Sequence, residues 1–310
     1  MTELERRYAS LLRLYPAAYR RARGAEMLGV LMDSAPQDRR RPEWREVREL
    51  ILGAIRVRAG AQGRRTPGQS WRVALRTAAL ILLTQTAGDT LWRMMFDPNG
   101  ESPPIVWVAA SLTVAAACVL AIVAVFRGAY LAAAVVTAGA FVLQMAAPQL
   151  VTLSTPSFTY LSPLWQLPLV VLLLIPLIGR GTVVAPRALN LMLLVPVVSV
   201  ALDAYGTLAQ DPAFQAGSRA VWQGLAVAAI LWSVVDERVA MAFGLAFLNV
   251  VVNRAMLDVS LGLDVWSISS PTLGDWSTAR WTLIDMGILA ILPILDIAVG
   301  ATVAVRRTRI

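Results

Sequence analysis

The sequence predicts an all-α, polytopic membrane protein of about eight transmembrane helices, preceded by a small three-helix domain. Three observations lead there. Apolar residues fill 57% of the 310 positions and mean hydropathy is +0.61. Soluble domains hold about 45–50% apolar residues, so lipid has to cover much of this surface. The apolar positions also gather into runs of about twenty, the length needed to cross roughly 30 Å of hydrocarbon. Finally, charge is partitioned: residues 1–70 carry 15 Arg against 8 acids, a net of +7, while the other 240 residues carry 13 against 12, a net of +1. An Arg-rich head (1–66) and a hydrophobic body (67–310) follow, with excess cations on the cytoplasmic side.

In the head, Thr2 and Glu5 have capping-box spacing, and Leu4, Tyr8, Leu11, Leu12 and Tyr15 recur at helical intervals behind them. Pro16 suits the first position of a second helix whose inward face is Tyr19, Ala22, Met27, Val30 and Leu31; Arg20, Arg21 and Arg23 lie on its other face. Pro42 opens a third helix, with Trp44, Val47, Ile51, Ala54 and Ile55 inward. So small a domain buries little apolar surface, so it is expected to lean on a partner, a second copy of the chain or the membrane face.

The cation pattern excludes whole classes of chemistry. Every one of the 28 cations is Arg, and His is absent. Without Lys there is no Schiff-base site and no Gly-Lys phosphate loop; without His there is no imidazole base or usual zinc or haem ligand. Cys118 is alone, so no disulfide framework exists. No catalytic residue, metal or cofactor is expected, and the chain reads as no enzyme. The amphipathic N-terminus lacks the apolar core of a cleaved signal peptide, so its retention is expected.

The stretches LLRLYPAAYRRARGAEMLGVLMD (11–33) and RRRPEWREVRELILGAIRVRAG (39–60) resemble the N-terminal module of many actinobacterial integral membrane proteins. The module is similar to the helical signalling domain associated with helix-turn-helix regulators (HAAS-like) and to the permease prefix domain. The matching elements are an aromatic and Pro closing helix one, Tyr19-Arg20, Arg23-Gly24, Glu26-Met27-Leu28 and an apolar third helix ending in Arg. The resemblance covers about a fifth of the chain. It implies coupling to a PadR-type transcriptional regulator or, for prefixes, attachment to a permease and its ABC ATPase. Arg20, Arg21, Arg23 and Glu26 are the docking residues expected on that basis. Direct nucleic-acid binding is not expected, because no recognition helix is legible and acids interleave with the Arg; anionic lipid is an expected neighbour of the same cations.

Eight spans are expected near 72–94, 105–126, 129–148, 163–179, 188–209, 219–235, 239–257 and 281–304. A cytoplasmic head puts Arg127, Arg180, Arg187, Arg238, Arg306, Arg307 and Arg309 in cytoplasmic turns or the tail. Both termini are then cytoplasmic, in the plasma membrane. Intramembrane charges are costly, roughly 2.5–3.5 kcal/mol each at a helix centre, so those that persist are functional candidates. Asp89 and Arg93 in the first span, Asp203 in the fifth, Asn253 and Arg254 in the seventh and Asp285 in the eighth share an outer depth. They frame either an outward pocket for a small polar or zwitterionic ligand or a structural ion-pair network. Asp296 stands apart, toward the cytoplasmic half. The leading expectation is a sensory or regulatory membrane protein; the alternative is a transporter or permease component.

Overall fold

The computed structural model describes residues 2–36, 39–58, 66–95, 105–151, 166–183, 185, 187–208, 223–260 and 290–306. All regular structure among them is helical. The chain divides into two compact units, Met1–Arg64 with Pro186–Ala188, and Arg65–Ala185 with Leu189–Ile310.

The first unit holds α1 (Glu3–Leu12), α2 (Ala17–Ser34) and α3 (Trp44–Arg58). The Thr2 and Glu5 capping box forms as its spacing predicts, each side chain bonded to the other's backbone N–H. Leu4, Tyr8, Leu12, Tyr15, Leu50 and Ala54 make the core. Three expected inward residues face out instead: Trp44 is 75% exposed and Val30 63%, and Ala22 is exposed as well. Trp44 precedes Leu50 by six positions, which turns it roughly 120° away from the face that Leu50 and Ala54 bury. Val30 and Ala22 lie on α2, where no residue is fully buried and Tyr19, Met27, Leu28 and Leu31 only lean on the core.

One carboxylate ties α3 to α1. Tyr8 Oη donates to Glu46 Oε2 at 2.6 Å, Arg39 Nη1 donates to Glu46 Oε1 at 3.0 Å, and the Glu43 N–H donates to Glu46 Oε2 at 2.9 Å. The Tyr8 hydrogen bond, reinforced by the Glu43 N–H and Arg39, holds the Glu46 carboxyl below its ordinary value of 4.5. Burial, then Glu46 itself, pushes the Tyr8 phenol from 10.0 up to about 12. A carboxyl depressed by folding contributes stability that is present above its unfolded value and lost as pH falls through the folded one. A phenol raised by folding contributes below pH 10.0, and that contribution disappears between there and about 12. Tyr8→Phe is therefore expected to cost the head about 1.5 kcal/mol near neutral pH. It also shrinks the loss of stability on acidification below 4.5, since less of Glu46's stabilisation remains to be titrated away. Limited proteolysis of the head in the full chain as pH is lowered measures this; identical acid profiles for wild type and variant contradict it.

The second unit comprises α4 (Pro67–Met95), α5 (Ile105–Phe126), α6 (Tyr130–Val151), α7 (Gln166–Leu174), the end of α8 (Arg187–Asn190), α9 (Leu194–Leu208), α10 (Gln223–Trp232), α11 (Glu237–Ser260) and α12 (290–306). Helix occurs in each stretch where a span is expected. Among the described residues one helix, Val108–Phe126, is long and apolar enough to cross a membrane by length and composition; Tyr130–Ala146, Gln166–Leu177, Leu191–Leu202 and Gln223–Trp232 are shorter apolar helices. α4 is the central element, packing against α5, α7, α9 and α11.

The interior of this unit mixes large apolar residues, such as Leu80, Ile81, Leu167, Leu174 and Phe243, with many small and polar ones: Ala78, Ala79, Cys118, Ala121, Ala133, Thr137 and Ala140 are buried. The exterior carries large apolar ones, with Val135 62% exposed, Leu172 63% and Leu231 72%. Thr77, Thr86, Thr90 and Thr137 survive inside because each hydroxyl donates to the carbonyl four residues back.

Candidate functional site

Two buried polar layers lie along α4. The first surrounds Asp89. Gln85 Nε2 donates to Asp89 Oδ1 at 2.9 Å, and Gln166 Nε2 of α7 reaches Asp89 Oδ2 at 3.5 Å. The Thr86 hydroxyl stands 2.8 Å from both Leu82 O and Gln166 Oε1. Gln85 Oε1 finds no partner although it is buried. Such an array offers carboxylate and amide oxygens to a hydrogen-bond donor, in surroundings where an unmet acceptor is costly.

Backbone register brings other expected residues to this level. α9 crosses α4 at Gly88, where a Cβ would stand 2.9 Å from a Val200 methyl, so position 203 lies less than a turn beyond that crossing. α11 runs parallel to α4: Ser70 Oγ donates to Glu237 Oε1 at 2.9 Å across an offset of 167 residues, and Ala74 packs with Met241 and Ala242. The same offset carries positions 253 and 254 to the level of Thr86 and Ala87. The side chains of Arg93, Asp203, Asn253 and Arg254 lie outside the described ones, and Asp285 lies outside the described residues altogether.

The second layer, nearer the start of α4, went unmarked by sequence reasoning. Arg238, expected at a cytoplasmic turn, stands in the first turn of α11, is 1% exposed and forms a two-pronged ion pair with equally buried Asp236. Asp236 also accepts the Arg238 N–H at 3.1 Å, the geometry of a helix N-cap. Arg76, inside the first expected span, is buried with its guanidinium 5.0 Å from the Phe126 ring centre. Asp296 of α12 is fully buried, and neither carboxylate oxygen has a partner among the described residues. A charge triplet, Asp236-Glu237-Arg238, between two apolar runs was the available signal; its two acids outnumber the Arg, which the count of turn cations overlooked.

On the head, Arg21, Arg23 and Glu26 are exposed along α2 and Arg20 is half-buried. Among the described residues none of the four is in an ion pair, whereas Arg6 and Arg7 pair with Glu3, and Arg39 with Glu43 and Glu46. No group of three or more acids, His or Cys positioned for a metal ion occurs among the described residues. No family model matches the chain, and neither the curated proteins nor the solved structures contain a match.

Proposed function

We propose that the chain is a multi-pass plasma-membrane protein with both termini cytoplasmic, whose head docks a cytoplasmic transcriptional regulator of the PadR type and reports the state of the body to it. The observation that carries the membrane reading is the apolar exterior of the body, where Val135, Leu172 and Leu231 are more than 60% exposed while unpaired Arg76 and Asp296 are inside beside Leu80, Ile81, Leu82 and Leu83. Lipid covers such an exterior at no cost, and small residues let helices approach closely inside it. The docking reading rests on α2, which buries no residue and offers Arg20, Arg21, Arg23 and Glu26 beside the exposed Val30.

Crosslinking the full chain in its own cells and identifying what α2 captures tests this. Wild type is expected to enrich one DNA-binding regulator. Arg20→Glu/Arg21→Glu/Arg23→Glu is expected to lose it with membrane insertion intact, and enrichment of no DNA-binding protein contradicts the proposal.

A second reading, a transporter or a permease component working with an ABC ATPase, is favoured by the oxygen-rich layer at Asp89, Gln85, Thr86 and Gln166. An Asp89→Asn variant that folds but no longer moves solute supports it; one with unaltered flux removes it.

A further inference from the structure

The end of the body nearest the start of α4 holds three arginines that form no ion pair among the described residues. The turn between α5 and α6 packs on the loop that follows α7: a Cβ on Gly128, whose φ is +78°, would stand 3.2 Å from Thr182 Cα, and the Val183 N–H donates to Tyr130 Oη at 3.0 Å. Arg127 lies on the first turn and Arg180 on the second, between Gly179 and Gly181, both at positive φ. Both Arg side chains are exposed, and neither makes a hydrogen bond or ion pair among the described residues. Behind them is Arg76 of α4, 5% exposed, stacked on Phe126 immediately before Arg127, with Nε and Nη1 lacking partners. Tyr130 is an electrostatic neighbour of Arg76, and its hydroxyl proton goes to no described residue.

Among the described residues no acid pairs with any of the three, and buried Asp296 of α12 pairs with none of them. Residues 102–202 contain no Asp or Glu, and neither do residues 50–88 around Arg76. The acids that α11 brings against α4 are engaged, Glu237 with Ser70 and Asp236 with Arg238. A ring face offsets part of the cost of a buried guanidinium but leaves its N–H groups unmet. The planar fork of Arg fits two oxygens of a phosphate group.

We propose that Arg76, Arg127 and Arg180 together hold one phosphate group, carried by an anionic phospholipid headgroup or by a soluble phosphate-bearing anion. This goes beyond the docking reading and is independent of it. Arg76 meets the phosphate from inside, Arg127 and Arg180 close on it from the two turns, and the Tyr130 hydroxyl donates to a remaining oxygen.

Native mass spectrometry of the full chain in detergent tests the site, with phosphatidylglycerol, phosphatidylcholine or inorganic phosphate added separately. Wild type is expected to retain one phosphatidylglycerol in preference to phosphatidylcholine, or to be stabilised against heat by inorganic phosphate; the first assigns a lipid source and the second a soluble one. Arg127→Gln/Arg180→Gln, which changes only exposed side chains, is expected to weaken that binding about tenfold or more. Arg76→Gln is expected to do the same at an unfolding temperature that verifies its fold. Arg13→Gln/Arg45→Gln, an equal charge loss on the head, is expected to change nothing. Equal binding by wild type and Arg127→Gln/Arg180→Gln, an equal loss in the head variant, or no binding by wild type overturns the proposal.

Discussion

Replacing Arg238 with Met is expected to cost the body about 3–5 kcal/mol, the largest single-residue effect in the molecule, because Asp236 loses its charge partner at 1% exposure. Asp236→Asn is expected to cost a similar amount from the other side, stranding the guanidinium while keeping an oxygen for the Arg238 N–H. Combined, Asp236→Asn/Arg238→Met recovers to within about 1 kcal/mol of wild type, since no buried charge remains and the cap is intact. Thermal or denaturant unfolding in detergent separates the outcomes. Additive losses in the double variant would mean that the two residues act separately, contrary to their paired geometry.

The second large effect concerns the contact of α11 with α12. A Cβ on Gly244 would meet Asp296 Cβ and Pro293 O at 2.8 Å, and one on Gly300 would meet Glu237 O at 2.9 Å and Met241 N at 3.1 Å. Backbone stands against backbone at both points, so no flexible side chain can yield. Gly244→Ala is expected to cost about 1–3 kcal/mol through overpacking, and Gly244→Leu to drive the two helices apart. Gly139→Ala is the comparison: a Cβ there meets nothing within 4 Å, so the substitution is expected to be neutral or to stabilise by up to about 1 kcal/mol through helix propensity. Equal melting temperatures for Gly244→Ala and Gly139→Ala would contradict the close crossing.

The helices were legible because length and hydropathy are local properties. The Thr2–Glu5 capping box and the turn between α5 and α6 were readable for the same reason: each depends on residues a few positions apart. Which polar groups meet was not readable. Ser70 and Glu237 are 167 residues apart, Thr86 and Gln166 are 80, and only the parallel packing of α4 on α11 and the contact of α4 with α7 reveal them. Charge counting put Arg238 beside a turn but gave no sign of its burial, because the carboxylate two positions away is seen only when folded onto it. It also passed over Arg76, since a lone cation in a long apolar run carries no partner signal in the sequence. Trp44 and Val30 were misread for another reason: aromatic and branched residues were assigned to the core by type, while the small head covers only one face of α3 and leaves α2 unburied. Gly88, Gly244 and Gly300 gave no warning either, as the need for a missing Cβ arises only from the opposite helix.

The central claim is a body whose apolar exterior lies in lipid, with its head held on the cytoplasmic face. A cysteine at position 23, Arg23→Cys, in a Cys118→Ala background tests it through labelling by a membrane-impermeant maleimide in intact and in lysed cells, with the chain recovered from alkali-washed membranes. The chain is predicted to stay in the membrane fraction and to label only after lysis. Labelling in intact cells, or release of the chain by alkali, would contradict the account.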